Sequence, residues 1–301
     1  MRLRFTWLVV AAFTSMIPVW GQEQWHEIKS PHFYVLTDGG ERRGRETALE
    51  FEQMRSVFAQ VFLKDGLEES LPLVIIALKN GKELSEFAPL YNGKPVQSAG
   101  LCQTGPDGNT ILLDLSAKDT WQIVVHEYGH VMLSRFRDPP PWFNEGFAGY
   151  YSSVKIFDRV AVVGHPPDGF TDALAGERLL PVTTLFSVTH GSPLYNDEKN
   201  HRSLFYAESW LVVHYLWSHR MQDQLHRYLD LIRHGIPTRE AIMQAFRMTP
   251  EQFDKAIEKY WREGVKASRL SLPEALEKVR PAVKQVSRLD AAAILADVHL
   301  H

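Results

Sequence analysis

The sequence holds one cysteine, Cys102, in 301 residues. No intramolecular disulfide can form, which removes the disulfide-stapled scaffolds from consideration. Nothing local marks Cys102 as an activated nucleophile, so it reads as a small buried hydrophobe. An excess of one charge is also missing: 33 Lys and Arg stand against 36 Asp and Glu, a formal net charge of -3. No basic surplus asks for a nucleic-acid partner, and no acidic block reads as a tail. Past the N-terminus there is no apolar run long enough to span a bilayer, and no internal repeat is visible. What is there is 45% hydrophobic and 23% charged, the balance of a globular chain. At this length a chain buries about 75% of its unfolded surface and builds a core without staples.

The first residues read as an address. Arg2 and Arg4 precede a mostly apolar stretch from Phe5 to Trp20, and Val19-Trp20-Gly21 offers a cleavage site. That is the layout of a cleavable secretory signal over 1–21, which places the protein outside the cytoplasm, secreted or periplasmic, with no stable membrane insertion afterwards. The alternative is an uncleaved anchor helix, but the stretch is short for one and ends in Pro-Val-Trp-Gly.

Periodicity then divides the chain. His32 to Thr37 is β-branched and aromatic and predicts a strand; Ala48, Phe51, Met54, Val57, Phe58 and Val61 recur at helical spacing within Arg42 to Phe62. Leu71 to Leu78 is a continuous apolar run, expected at the centre of a sheet. Lys82 to Phe87 predicts a short helix. Ser98 to Gln103 and Thr110 to Leu115 flank Pro106-Asp107-Gly108-Asn109 as a hairpin. From Asp119 onward the pattern is mostly helical. Asp119 and Gln122 can cap a helix running to Arg135, Trp142 to Ser153 resumes after Pro139-Pro140-Pro141, and Val154 to Val163 reads as a strand or hairpin. Gly164 to Asn200 carries too much Pro, Gly, Ser and Asn to assign. Helices are expected over Ser203 to His219, Met221 to His234, Thr238 to Phe246 and Pro250 to Glu263, and again through Ser271 to His301. The expected class is α+β: residues 22–118 an α/β part, 119–265 a helical part, and 266–301 a helical extension like the first helix of a tetratricopeptide-type pair.

Chemistry enters at His126-Glu127-Tyr128-Gly129-His130. Positions four apart on a helix share a face, so His126 and His130 can turn two imidazoles toward one metal ion. Glu127 stands beside them, within reach of a metal-bound water. A catalytic zinc needs a third protein ligand and an open position. Trp142-Phe143-Asn144-Glu145-Gly146 offers Glu145, if the prolines reverse the chain and Gly146 and Gly149 let the two helices approach. Left as a purely structural stripe, these four ionisable groups would sit uncompensated in apolar helices.

HEYGH followed by WFNEGFA resembles the gluzincins, the metallopeptidase clan of thermolysin and aminopeptidase N, and more closely the bacterial peptidase-MA-like domains. The likeness covers roughly residues 30 to 265, with specific motifs in 120–153 and 203–216. It implies a zincin-like fold, Zn2+ held by His126, His130 and Glu145, and Glu127 as general base. Phe205-Tyr206-Ala207-Glu208 matches a helix whose tyrosine steadies the oxyanion in aminopeptidase-N-like enzymes, which implies that role for Tyr206. Tyr150, Tyr151, Tyr195 and His201 are competing donors. The chain departs from thermolysin and aminopeptidase N in a shorter gap before the third ligand, and it lacks the aminopeptidase Gly-x-Met-x-Asn stretch. By the same likeness, strand Thr110 to Leu115 is expected to offer an unpaired edge to an extended substrate. The implied function is a secreted zinc metallopeptidase acting on a peptide or protein substrate. A silent binding module of the same fold and a zinc hydrolase of non-peptide substrates remain open, as does the oligomeric state.

Overall fold

The first strand, β1 (Trp25–Lys29), runs antiparallel to β2 (Tyr34–Thr37), and α1 (Glu41–Phe62) follows. Then come β3 (Leu73–Leu78), α2 (Gly81–Phe87), the short pair β4 (Leu90–Tyr91) and β5 (Lys94–Pro95), and the hairpin β6 (Gly100–Thr104) and β7 (Asn109–Asp114). The structure is a computed structural model and describes residues 24–62, 73–87, 90–91, 94–95, 99–104, 108–118, 120–133, 138–176, 178–196 and 201–299. The signal sequence expected over 1–21 and the capping role of Asp119 lie outside these residues. Among them, no helix is long and apolar enough to cross a membrane.

The second half opens with α3 (Thr120–Leu133) and α4 (Pro141–Ser152), then the hairpin β8 (Lys155–Phe157) and β9 (Val160–Val163). Three short helices, α5 (Phe170–Gly176), α6 (Val182–Phe186) and α7 (Pro193–Asn196), occupy the stretch that composition left unassigned. Four longer ones follow: α8 (His201–Ser218), α9 (Gln222–Arg233), α10 (Thr238–Phe246) and α11 (Pro250–Glu263). The chain closes with β10 (Ser268–Ser271), a 3-10 turn (Glu274–Lys278), β11 (Ala282–Val286) and α12 (Arg288–His299). The class is α+β: a six-stranded mixed sheet in the order β11-β1-β2-β3-β7-β6, a three-stranded sheet β10-β9-β8, and twelve helices among the described residues.

Strand β3 is central because both of its faces are covered. Leu73, Ile75 and Ala77 enter the main core against α1 and the helical half, while Ile76 and Leu78 enter a smaller core with Trp25, Leu84 and Ala291. Alternate residues point to opposite faces, so a strand covered on both sides reads as an unbroken apolar run. β2 pairs with β3 and β3 with β7 in parallel. The main core runs without a break from Ile28 to Leu272. Helix α8 passes through its middle: from Leu204 to Trp217 every residue but Tyr206 is buried, as expected of a helix apolar on all sides.

Two expectations are corrected. The stretch 271–301 is not continuously helical. Pro281 interrupts it, and Ala282–Val286 pairs antiparallel with β1 along its full length. The hydrogen-bonding groups on the open side of β1 outweigh the helical propensity of this segment. Thr110 to Leu115 is not an edge either: β7 is bonded on both sides, to β3 and to β6. Its hairpin partner folds onto the outer side, so β6 ends the sheet at this margin.

Candidate metal centre

Helix α3 divides its residues by face. Val124, Val125, Tyr128 and Val131 are buried, and the Tyr128 ring lies edge-on to Phe33, Phe51 and Phe58 at 5.9, 5.6 and 5.1 Å. This anchor turns His126, Glu127 and His130 to the other side, where they are half-buried. Helix α4 starts on Pro141 in its first turn, a position where proline costs no backbone bond. It packs along α3 so closely that a Cβ on Gly129 would stand 3.0 Å from the Cα of Ala148. The glycine that permits this approach is therefore Gly129. Gly146 and Gly149, expected in that role, face α8 instead: a Cβ on Gly146 would fall 2.2 Å from the backbone oxygen of Ser209.

The packing delivers Glu145, itself buried, to the two histidines. Its Oε2 is 3.4 Å from His126 Nε2 and 3.7 Å from His130 Nε2, and the two Nε2 atoms are 3.1 Å apart. His126, His130 and Glu145 thus form a compact group that could hold a metal ion, with all ligand atoms within 4.8 Å of one another. Two neighbours orient it. Asn144 Oδ1 lies 3.1 Å from His130 Nδ1; an amide oxygen only accepts, so Nδ1 carries the proton and Nε2 turns its lone pair inward. The Tyr195 hydroxyl donates to Glu145 Oε1 at 2.9 Å, which leaves Oε2 facing the imidazoles. Burial pushes the Glu145 carboxyl up, but its hydrogen bond to His126, the two imidazoles and the Tyr195 donor together hold it below the usual carboxylate value. Burial first, and then the charge of Glu145, pushes the Tyr195 phenol well above its ordinary range, so it stays a donor.

The other expected residues are placed as follows. Glu127 is half-buried next to His126. Burial, and then the charge of Glu127, push the Cys102 thiol on β6 up to about 12. Cys102 is half-buried against the main core rather than fully enclosed. Tyr206 is half-buried in α8 and stacks on Tyr195, with centroids 6.3 Å apart and planes 27° apart. The phenol bonded to Glu145 is that of Tyr195. Tyr150 and Tyr151 are core residues, the latter stacked on Phe58 at 4.1 Å. The side chain of His201 lies outside the described set. Sequence reasoning gave no role to Asn144, although it directly precedes Glu145 on the same helix. Tyr195 had no local signal beyond its type, because it arrives on α7.

A scan of family models returns no match to this chain, and a search of curated proteins returns none.

Proposed function

We propose that the chain is a zinc-dependent metallopeptidase of the gluzincin, peptidase-MA-like kind. The observation that carries this reading is the convergence of His126 Nε2, His130 Nε2 and Glu145 Oε2 beside Glu127. Zinc bonds nitrogen at about 2.0–2.1 Å and carboxylate oxygen at about 2.0–2.2 Å, so two ligands of a tetrahedral site stand about 3.3–3.5 Å apart. The three separations here, 3.1, 3.4 and 3.7 Å, bracket that value. Two imidazoles and one carboxylate, with a fourth position left for water, are a donor set of catalytic rather than structural zinc sites. Asn144 and Tyr195 supply the outer hydrogen bonds that such ligands require.

Bound zinc would supply Lewis acidity to a scissile carbonyl and to a water molecule. Glu127, one residue from a ligand and not itself in the cluster, accepts the proton of the attacking water and returns it to the leaving amine. A phenol donor steadies the oxyanion; Tyr206 fills that role by its place in the motif, and Tyr195 stands nearer the cluster. The substrate is a peptide or protein, and the layout of the N-terminus adds export from the cytoplasm to this reading.

Elemental mass spectrometry of the purified protein beside His130→Ala tests the site. The expected result is about one zinc per chain, lost in the variant. A peptide-library screen with Glu127→Gln as the blank then tests the activity, the variant keeping zinc and losing turnover. A wild type that takes up no metal when zinc is supplied would overturn the assignment. Zinc without peptide cleavage would leave a binding module or another hydrolase.

A further inference from the structure

The β8–β9 hairpin and strand β10 form a small antiparallel sheet with two unlike faces. Ile156, Ala161 and Leu270 stand side by side across it and pack on the main core. Alternation turns the rows on either side of them the other way. Those outward rows are Phe157–Val160–Ser271 and Lys155–Val162–Arg269. Phe157 is 61% exposed and Val160 36%, and the two are cross-strand neighbours at the turn of the hairpin. Strand β9 reads Val-Ala-Val-Val, the unbroken apolar run of a strand covered on both sides. An antiparallel strand with one face in water carries polar residues on that face. Among the described residues, only the inner face of β9 packs on a core.

The charges narrow what can cover the other face. Of its side chains, Phe157, Val160 and Val162 are apolar, Lys155 and Arg269 are cationic, and none is acidic. Both cations are exposed, and neither has an ion pair among the described residues. Of the acids around the hairpin, Glu277 is held by Arg159 at 3.1 Å, and Asp158 stands in the turn, outside the two rows. The face is therefore apolar and positive at once. A second copy of the chain does not suit it, since a self-complementary contact would set cations against cations. An anionic bilayer surface does: an aromatic ring enters the acyl boundary while flanking Lys and Arg side chains reach the headgroup phosphates.

We propose that this face docks reversibly on an anionic lipid surface, with Phe157, Val160 and Val162 at the acyl boundary and Lys155 and Arg269 on the phosphates. The proposal does not rest on the metal reading, since no residue is shared between the two sites.

The test is sedimentation of the full-length protein with vesicles of phosphatidylcholine alone and of phosphatidylcholine mixed with phosphatidylglycerol. Binding is expected on the mixed vesicles, and raised salt should weaken it. Lys155→Gln and Arg269→Gln should each lower the affinity about fivefold, the weight of one cation at an anionic surface. Phe157→Ser should lower it about tenfold. Met243→Ser, which removes an exposed side chain on α10, should change nothing. Amide exchange over 155–163 should slow on the mixed vesicles, a reading local to the hairpin and independent of the apolar stretch from Phe5 to Trp20. No binding to the mixed vesicles, equal binding by all variants, or unchanged exchange in the hairpin would overturn the proposal. Retention on polyglutamate without vesicle binding would also overturn it, and would give the face to an acidic protein instead.

Discussion

At the residue scale, the candidate metal centre is oriented by groups outside the cluster of possible ligands. Asn144 fixes which nitrogen of His130 carries the proton, and Tyr195 occupies one oxygen of Glu145. Losing an outer partner of this kind lowers metal affinity by about 10- to 100-fold. Asn144→Ala and Tyr195→Phe are therefore each expected to release zinc about tenfold more readily to a competing chelator, with thermal unfolding of the metal-free protein little changed. On the proposed function, Tyr206→Phe, whose ring stacks on Tyr195, should leave zinc affinity near wild type and lower turnover only. Equal zinc affinity in Tyr195→Phe and wild type would show that the bond to Glu145 has no share in the site. The histidine pair and Glu145 were legible in HEYGH and NEG because spacing on a helix reports a shared face. The bond from Tyr195 to Glu145 was not; Tyr195 stood only among the competing oxyanion donors, since about fifty residues separate it from Glu145 and only the fold joins them.

At the element scale, the contacts between helices rest on a few positions without a side chain. Gly146 and Gly149 occupy one helix, three residues apart, and meet different constraints. An added methyl at Gly146 would drive into the Ser209 backbone at 2.2 Å, whereas at Gly149 the nearest atom is the Phe170 ring at 3.5 Å, an ordinary contact. Alanine gains up to about 1 kcal/mol over glycine inside a helix. For Gly149→Ala that gain should prevail, giving stability equal to or above wild type. For Gly146→Ala the clash with backbone should prevail, costing about 2 kcal/mol or more and shifting Glu145 away from the histidines. Denaturant titration of the two variants, with zinc content measured alongside, separates these outcomes; equal stabilities would contradict the close α4–α8 approach. Most helices and the β6–β7 hairpin were legible from period and turn residues. Strands β1 and β11 were not, since each is short and gains its hydrogen bonds from the other's edge.

At the scale of the whole molecule, two features tie stability to distant parts of the chain. His214 is buried in α8 between Tyr150, Trp210 and Tyr260, with the Tyr260 hydroxyl 2.7 Å from Nδ1. Burial lowers its pKa to about 4, below its unfolded value of about 6.5. Between these values the unfolded chain holds the extra proton. Stability is therefore complete above about pH 6.5 and falls as pH drops toward about 4, by at most about 1.4 kcal/mol per pH unit from this group. The pH dependence of unfolding in His214→Phe should be shallower than wild type over that window, and identical slopes would refute the buried neutral state. The other feature is the C-terminal segment, which completes the sheet at β1 and, through Ala291, Ile294 and Leu295, covers the smaller core. Truncation after residue 281 should lower the melting temperature and cause self-association on size-exclusion chromatography, because it bares a strand edge together with an apolar face.

Local spacing by itself determined the mixed class, most of the helices, and the pairing of His126 with His130, since both periodicity and a shared helix face are properties of neighbours in the chain. Tertiary structure decided what depends on distant segments meeting. It made β7 an interior strand and β6 the margin, turned 282–286 from helix to strand, and put Gly129, not Gly146, at the α3–α4 contact. It also brought Tyr195 to Glu145. Each of these is set by which surfaces and hydrogen-bonding edges remain open once the core has closed, and a linear pattern of residues does not carry that information.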